Sequence, residues 1–153
     1  MNLQVLLGLY QNDIRLKQLA AAASLPDHKI RVYLDNLRGS AINFIASAIW
    51  QQTDLNHVFI LNDKEEAAYF HNDLEHLTGA LDICLFPDSF KRAGHFNEMN
   101  SSHIMLRTEA LSKFSGKTAA HKKVLVTSTL LQKTSVQSLR NSGWRNHTFS
   151  MIL

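Results

Sequence analysis

Apolar and polar positions alternate along this chain in two rhythms, and the switch between them marks out the elements. Residues 14–22 place Ile14, Leu16, Leu19 and Ala20 partly on one side, after Asn12 or Asp13 as a cap, which predicts a first helix. Pro26 and Asp27 close that unit. Residues 30–34 (Ile-Arg-Val-Tyr-Leu) alternate and carry β-branched side chains, which predicts a strand. A loop over 35–39 follows, then a helix over 41–51 with Ser40 as its N-cap.

The same strand-then-helix unit recurs. His57-Val58-Phe59-Ile60-Leu61 is a short apolar run of the kind found in buried parallel strands. Asp63 and Glu66 have the spacing of a capping box, and Ala67, Phe70, Leu74 and Leu77 then give one buried helical face. Gly79 stands where that helix should stop. A third strand covers 82–86 and is cut by Pro87. A long polar stretch over 88–100 precedes a helix from Ser101 or Ser102 to Phe114, with Ile104, Leu106, Leu111 and Phe114 expected inward. The last strand is Val124-Leu125-Val126-Thr127. Beyond it the pattern weakens, with one short helix expected near 136–140.

Strands alternating with helices predict an α/β fold, a mainly parallel sheet flanked by helices. Ligands of such sheets bind at the carboxyl ends of the strands, so the loops 35–40, 62–64, 87–100 and 127–130 are the places for a site.

Composition changes this picture little. At 153 residues, 45% hydrophobic and 19% charged, the chain has the size and balance of one globular domain. Cys84 is its single cysteine, so no internal disulfide forms, and its apolar surroundings suit an inert core thiol. The apolar run 41–50 is too short for a bilayer, and no leader pattern follows the apolar start; a cytoplasmic protein with no membrane partner is expected.

Charge is more informative. Residues 1–109 hold 9 Lys/Arg and 13 Asp/Glu, whereas residues 110–153 hold 7 Lys/Arg and no acid. Such a tail can attract nucleic acid through phosphates or be a solvated surface; it lacks the interleaved aromatics of a stacking platform.

The segment Leu37-Arg38-Gly39-Ser40-Ala41 occupies the strand-to-helix position of a phosphate loop. A working loop needs several glycines, a Lys for the terminal phosphates and a Ser or Thr for magnesium. Here Gly39, Ser40 and Ala41 remain without the lysine, so a tight turn and a capped helix are expected rather than nucleotide binding. Ser115-Gly116-Lys117-Thr118 has the ending of a Walker loop, but Leu111 stands where its first glycine belongs and a helix precedes it. His71 and His76 are five apart, which turns them away from each other on a helix, so no metal site is expected. Phe90, Lys91 and Arg92 fall just past a strand end. They fit either a partner-contact loop or a Phe90 tucked under the sheet edge.

Several of these pieces, taken in order, carry a family resemblance. They are the degenerate loop 37–41, Val58-Phe59-Ile60-Leu61-Asn62-Asp63-Lys64-Glu65-Glu66-Ala67, and Phe70 with Asp73-Leu74. They continue with Leu85-Phe86-Pro87-Asp88-Ser89-Phe90-Lys91-Arg92, Leu106-Arg107-Thr108-Glu109-Ala110-Leu111, and Val124-Leu125-Val126-Thr127. Over roughly residues 5–131 the chain resembles the amino-terminal UvrB-homology region of the bacterial transcription-repair coupling factors (the Mfd family). The resemblance implies a P-loop-NTPase-like, UvrB-like domain at 1–131 with a degenerate phosphate loop. It implies a non-catalytic scaffold and interaction role in nucleotide excision DNA repair, with no catalytic residue and no cofactor in this chain. Its partners would be the other domains of the parent ATP-driven DNA translocase, UvrA through the adjoining domain, and DNA and RNA polymerase through the full-length protein. Residues 132–153 depart from the family pattern and read as a basic tail, a truncated or frame-altered entry to a next domain.

Overall fold

The computed structural model describes residues 2–25, 32–79, 83–87, 101–115, 122–128 and 148–152. Nine elements follow one another: α1 (Leu3–Asn12), α2 (Ile14–Ala23), α3 (Ala41–Gln52), β1 (Asn56–Leu61), α4 (Lys64–Thr78), β2 (Ile83–Phe86), α5 (Ser101–Ser115), β3 (Val124–Ser128) and β4 (Thr148–Ile152). The four strands form one sheet in the order β2-β3-β1-β4, and every pairing is parallel. The fold is therefore α/β with a parallel sheet flanked by helices.

Alternation along the strands sorts the core into two layers. Phe59 and Leu61 of β1, Val124 and Val126 of β3 and Ile83 of β2 face Ile45 and Ile49 of α3 and Ala67, Phe70 and Leu74 of α4. The Phe59 and Phe70 rings meet at 5.1 Å, tilted by 52°. On the opposite face Val58, Ile60, Cys84, Phe86 and Leu125 pack with Ala110 and Phe114 of α5. The helices divide this way because right-handed crossovers oppose each other when the chain reverses direction across the sheet. The β1-to-β2 crossover runs one way and the β2-to-β3 crossover runs back. Burying one such Phe, Leu or Val is worth about 1.5–3 kcal/mol.

Helices α1 and α2 form an outer layer on α3. The Asn2 side chain caps α1 and Asp13 caps α2. Leu7, Leu16 and Ala20 are buried, and Tyr10 stacks on Phe44 at 5.3 Å. Sequence periodicity finds α2 and overlooks α1, an apolar run with no charge to mark its faces.

Three expectations are corrected. Residues 32–34 belong to no strand, and Tyr33 is 88% exposed. Pairing is non-local, and both sides of β1 are already taken, by β3 and β4. Residues 30 and 31 lie outside the described residues. On α5 the inward line is Leu106, Ala110 and Phe114, four residues apart each time, so Ile104 and Leu111 are exposed. Finally, residues 148–152 of the basic tail form β4, which pairs with β1 from Asn56↔Thr148 to Ile60↔Ile152. The expected helix near 136–140 lies outside the described residues. No helix among the described residues is long and apolar enough to cross a membrane.

Candidate functional site at the carboxyl ends of the strands

Where α4 leaves the sheet on one face and α5 lies across the other, the carboxyl ends of β2 and β3 border a cleft. Its volume is about 240 Å³. Ala67 and Ala68 of α4, Leu85, Phe86 and Pro87 at the end of β2, and Leu106 of α5 give it apolar walls; Lys64, Glu65, His103 and Ser128 add polar groups. This is the place in a parallel sheet where ligands settle.

The floor of the cleft is fixed from both sides. The Thr127 hydroxyl donates to the Phe86 carbonyl at 3.0 Å. Arg107 lays its guanidinium over the Phe86 ring at 4.3 Å and donates to the Pro87 carbonyl at 3.0 Å. Residues 85–87, 106–111 and 124–127 thus meet at the exit of β2. A fourth, 58–67, supplies β1 and the turn into α4. Phe90, Lys91 and Arg92, expected as a contact loop, lie outside the described residues, as do Gly116, Lys117 and Thr118.

The start of α4 is closed by its own acids. The Glu66 N–H donates to Asp63 Oδ1 at 2.7 Å, and Glu66 Oε2 accepts from the Asn62 N–H and side-chain amide, each at 3.2 Å. The Asp63–Glu66 spacing predicts a capping box; the Asp63 half forms as expected, while Glu66 reaches back to Asn62, one residue before the cap. Asp63, Glu65 and Glu66 surround the helix start, and Lys64 is paired with Glu65 at 3.4 Å. A phosphate placed there would meet carboxylates where a phosphate loop offers free N–H groups.

The other helix start is open but unfurnished. Gly39 takes φ +56° and Asn36 φ +59°, both left-handed, and residues 32–40 are all exposed. Ser40 stands at the N-cap position of α3, yet its backbone (φ −74°, ψ 4°) leaves the side chain without a capping bond, contrary to expectation. The Ala41 N–H is spent on the Arg38 carbonyl at 3.3 Å. Neither Gly39, Ser40 nor Ala41 lines the cleft. Asn43, one turn into α3, bonds instead to Asp73 of α4 at 2.5 Å, well past the start of that helix.

A polar cluster that sequence reasoning missed occupies the opposite end of the sheet. The Thr53 hydroxyl donates to the Ile49 carbonyl at 3.0 Å, so it accepts from His57 Nε2 at 2.7 Å. His57 is fully buried, and burial first, then the charge of Lys122, pushes its pKa down from 6.5 to about 3. Lys122 donates to the Trp50 and Thr53 carbonyls at 2.6 and 2.8 Å and lies over the Trp50 ring at 4.5 Å. It neutralises the carboxyl end of α3. Burial lowers its own pKa, against an upward pull from Asp54. Lys123, pointing to the other face, does the same for α5 by donating to the Lys113 carbonyl, 5.8 Å from the Phe114 ring centre. Lys113 pairs with Glu109 at 2.9 Å. The described lysines of the acid-free stretch 110–153, Lys113, Lys122 and Lys123, are therefore engaged with the fold. The signal was present in the sequence as a histidine opening an apolar strand and two lysines preceding another.

His71 and His76 are also used locally, His71 near Glu75 at 3.6 Å and His76 on the Asn72 carbonyl at 2.7 Å. Among the described residues no group of three or more His, Cys, Asp or Glu could hold a metal ion. Cys84 is buried.

Fold and cleft define a parallel α/β domain whose α4 start, beside the cleft at the carboxyl ends of the strands, is closed by Asp63 and Glu66. No family model matches the chain, and neither does any curated protein or solved structure.

Proposed function

We propose that the chain is a non-catalytic α/β scaffold, UvrB-like with its phosphate loop lost, of the kind that transcription-repair coupling factors carry at their amino terminus. The observation that carries the non-catalytic reading is the α4 start at the cleft, where Asp63 and Glu66 take the positions a nucleotide phosphate would need. The loss at the other helix start goes beyond the missing lysine, since the chain before Gly39 stands off the sheet. The order of the quoted motifs, and their convergence on the exit of β2, support the repair-factor reading. In that role the domain would hold the UvrA-recruiting domain beside it, restrain the parent translocase through domain contacts and act in nucleotide excision repair inside the cytoplasm. DNA and RNA polymerase would be reached only through the full-length protein.

Two measurements test this. Titration calorimetry with magnesium-ATP should give no heat of binding; a micromolar, magnesium-dependent signal would overturn the loss of the phosphate site. Added to a coupling factor that lacks its own amino-terminal module, the chain should lower DNA-stimulated ATP hydrolysis. An unchanged rate at saturating chain would remove the repair-factor reading while leaving the scaffold fold intact.

A further inference from the structure

Helix α3 and strand β1 form the last two parts of a strand–helix–strand unit, and no strand among the described residues supplies the first. The carboxyl end of α3 lies at the amino ends of the strands, where Lys122, two residues before β3, donates to the Trp50 and Thr53 carbonyls. That is the course of a helix entered from the carboxyl end of a parallel strand.

Handedness places the missing strand. Helix α3 packs with α4 on one face of the sheet. On that face the crossover from β1 through α4 leads towards β2. Parallel crossovers are right-handed, so one made through α3 on the same face runs in the same direction. A strand before α3 therefore belongs on the other side of β1. The place beside β1 there is held by β4, paired from Asn56↔Thr148 to Ile60↔Ile152. Just before α3 the sequence carries the alternation of a strand over 30–34, and its described part leaves Val32 and Tyr33 52% and 88% exposed.

We propose that the segment Val32-Tyr33-Leu34 and strand β4 are alternative occupants of one edge of β1. In the form described above, β4 holds the edge and residues 32–34 stand in water. In the other form, residues 32–34 pair in parallel with β1, complete a right-handed unit with α3 and displace β4. The exchange leaves β1, β3, α3 and α4 in place, because both occupants offer a parallel strand to the same row of β1 N–H and C=O groups. Two packings of one chain that differ only at an edge are the kind of pair that interconverts. The result is a switch: the segment that holds the edge decides whether the acid-free stretch 110–153 is tied to the sheet through β4. This inference does not depend on the repair-factor reading.

Hydrogen exchange of the full chain, read by mass spectrometry on peptides covering 30–35 and 147–153, tests it. The double substitution Phe149→Pro with Ser150→Pro removes an N–H facing β1, since neighbouring residues of a strand turn theirs to opposite edges. With circular dichroism unchanged, exchange should then slow at least about tenfold at 32–34 and speed up at 148–152. The converse pair, Val32→Pro with Tyr33→Pro, removes the competitor and should slow exchange at 148–152 at least about threefold. Residues 32–34 that still exchange like an unfolded chain in the first variant overturn the proposal. So does exchange at 148–152 that the second variant leaves unchanged, a result that decides the matter even where the first variant fails to fold. Full protection of both segments at once in the parent chain also overturns it, since one edge holds one strand.

Discussion

At its carboxyl end α3 is held by three side chains from outside the helix or just beyond it: Thr53 turns back onto the Ile49 carbonyl, His57 donates to Thr53, and Lys122 covers the Trp50 and Thr53 carbonyls. At its amino end the same helix begins from an exposed loop whose serine makes no capping bond. One end joins α3 to β1 and to Lys122, two residues before β3, so three elements depend on it. At the other end the cap residue makes no bond, and the first anchor to another element comes at Asn43, which donates to Asp73 of α4. In a parallel α/β sheet the amino end of a helix following a strand is the usual seat of phosphate chemistry. Here α3 follows no strand among the described residues, its amino end is exposed and uncapped by Ser40, and Thr53, His57 and Lys122 gather at its carboxyl end.

The sharpest way to break this comparison is at Lys122. Replacing it with Met keeps the length and removes a charged donor from two carbonyls, which should cost about 2–3 kcal/mol. Urea unfolding of Lys122→Met against the parent chain measures it. A loss under about 0.5 kcal/mol, the range of an ordinary surface change, would show that the carboxyl end is no better fastened than the amino end.

Acid should loosen the same end. In the unfolded chain His57 takes up a proton through its ordinary pKa of 6.5, whereas in the fold burial and Lys122 hold it neutral down to about 3. The unfolded state thus binds the extra proton between those values, and stability falls as the pH drops from about 6.5 to about 3. By pH 5 the loss from this one group is about 2 kcal/mol. Unfolding free energies at pH 7 and pH 5 give the slope, and His57→Asn should flatten it. An equal slope in the variant would place the acid sensitivity elsewhere.

A smaller effect belongs to the start of α4, which is capped where the start of α3 is not. Asp63→Ala removes the acceptor of the Glu66 N–H and should cost about 1 kcal/mol. Thermal unfolding measures it. No change in the midpoint would mean that the acids at the cleft are not there for the helix.

The difference between these helix starts was half legible in the sequence. Asp63 and Glu66 announce their bond because capping is local and its spacing is fixed. Gly79 announces the end of α4 for the same reason, and it takes φ +63° there. The strands β1, β2 and β3 were legible as short apolar runs. Residues 32–34 show the limit: alternation describes an extended chain, and whether it joins a sheet depends on which neighbours are already paired. The Lys122 cluster was not legible, because Lys122 and Thr53 lie 69 positions apart and only the parallel pairing of β1 with β3 brings them together. The candidate cleft falls between these cases. Its turn at 62–64 and its edge at Pro87 follow from the α/β pattern, whereas the grip of Arg107 on Phe86 and Pro87 comes from a helix on the other face.

The smallest expected effect is the most discriminating for the loop itself. Ser40 is exposed and bonds to nothing through its side chain, so Ser40→Ala should change stability by less than about 0.5 kcal/mol. A serine caps a helix only when its own backbone is extended, which lets the oxygen reach the N–H two or three residues on. With ψ at 4° Ser40 cannot do this. Gly39→Ala, one residue earlier, should cost more, about 1 kcal/mol, because φ at +56° strains any residue with a Cβ even though the space around it is empty. Measured side by side in urea, the pair separates two local roles of residues 39–40, a left-handed turn and a helix cap. A cost at Gly39 alone means that the segment serves only as a turn. A cost of 1 kcal/mol or more at Ser40, roughly the value of a cap, would mean that α3 is capped in solution after all, and the contrast between its two ends would shrink to Lys122.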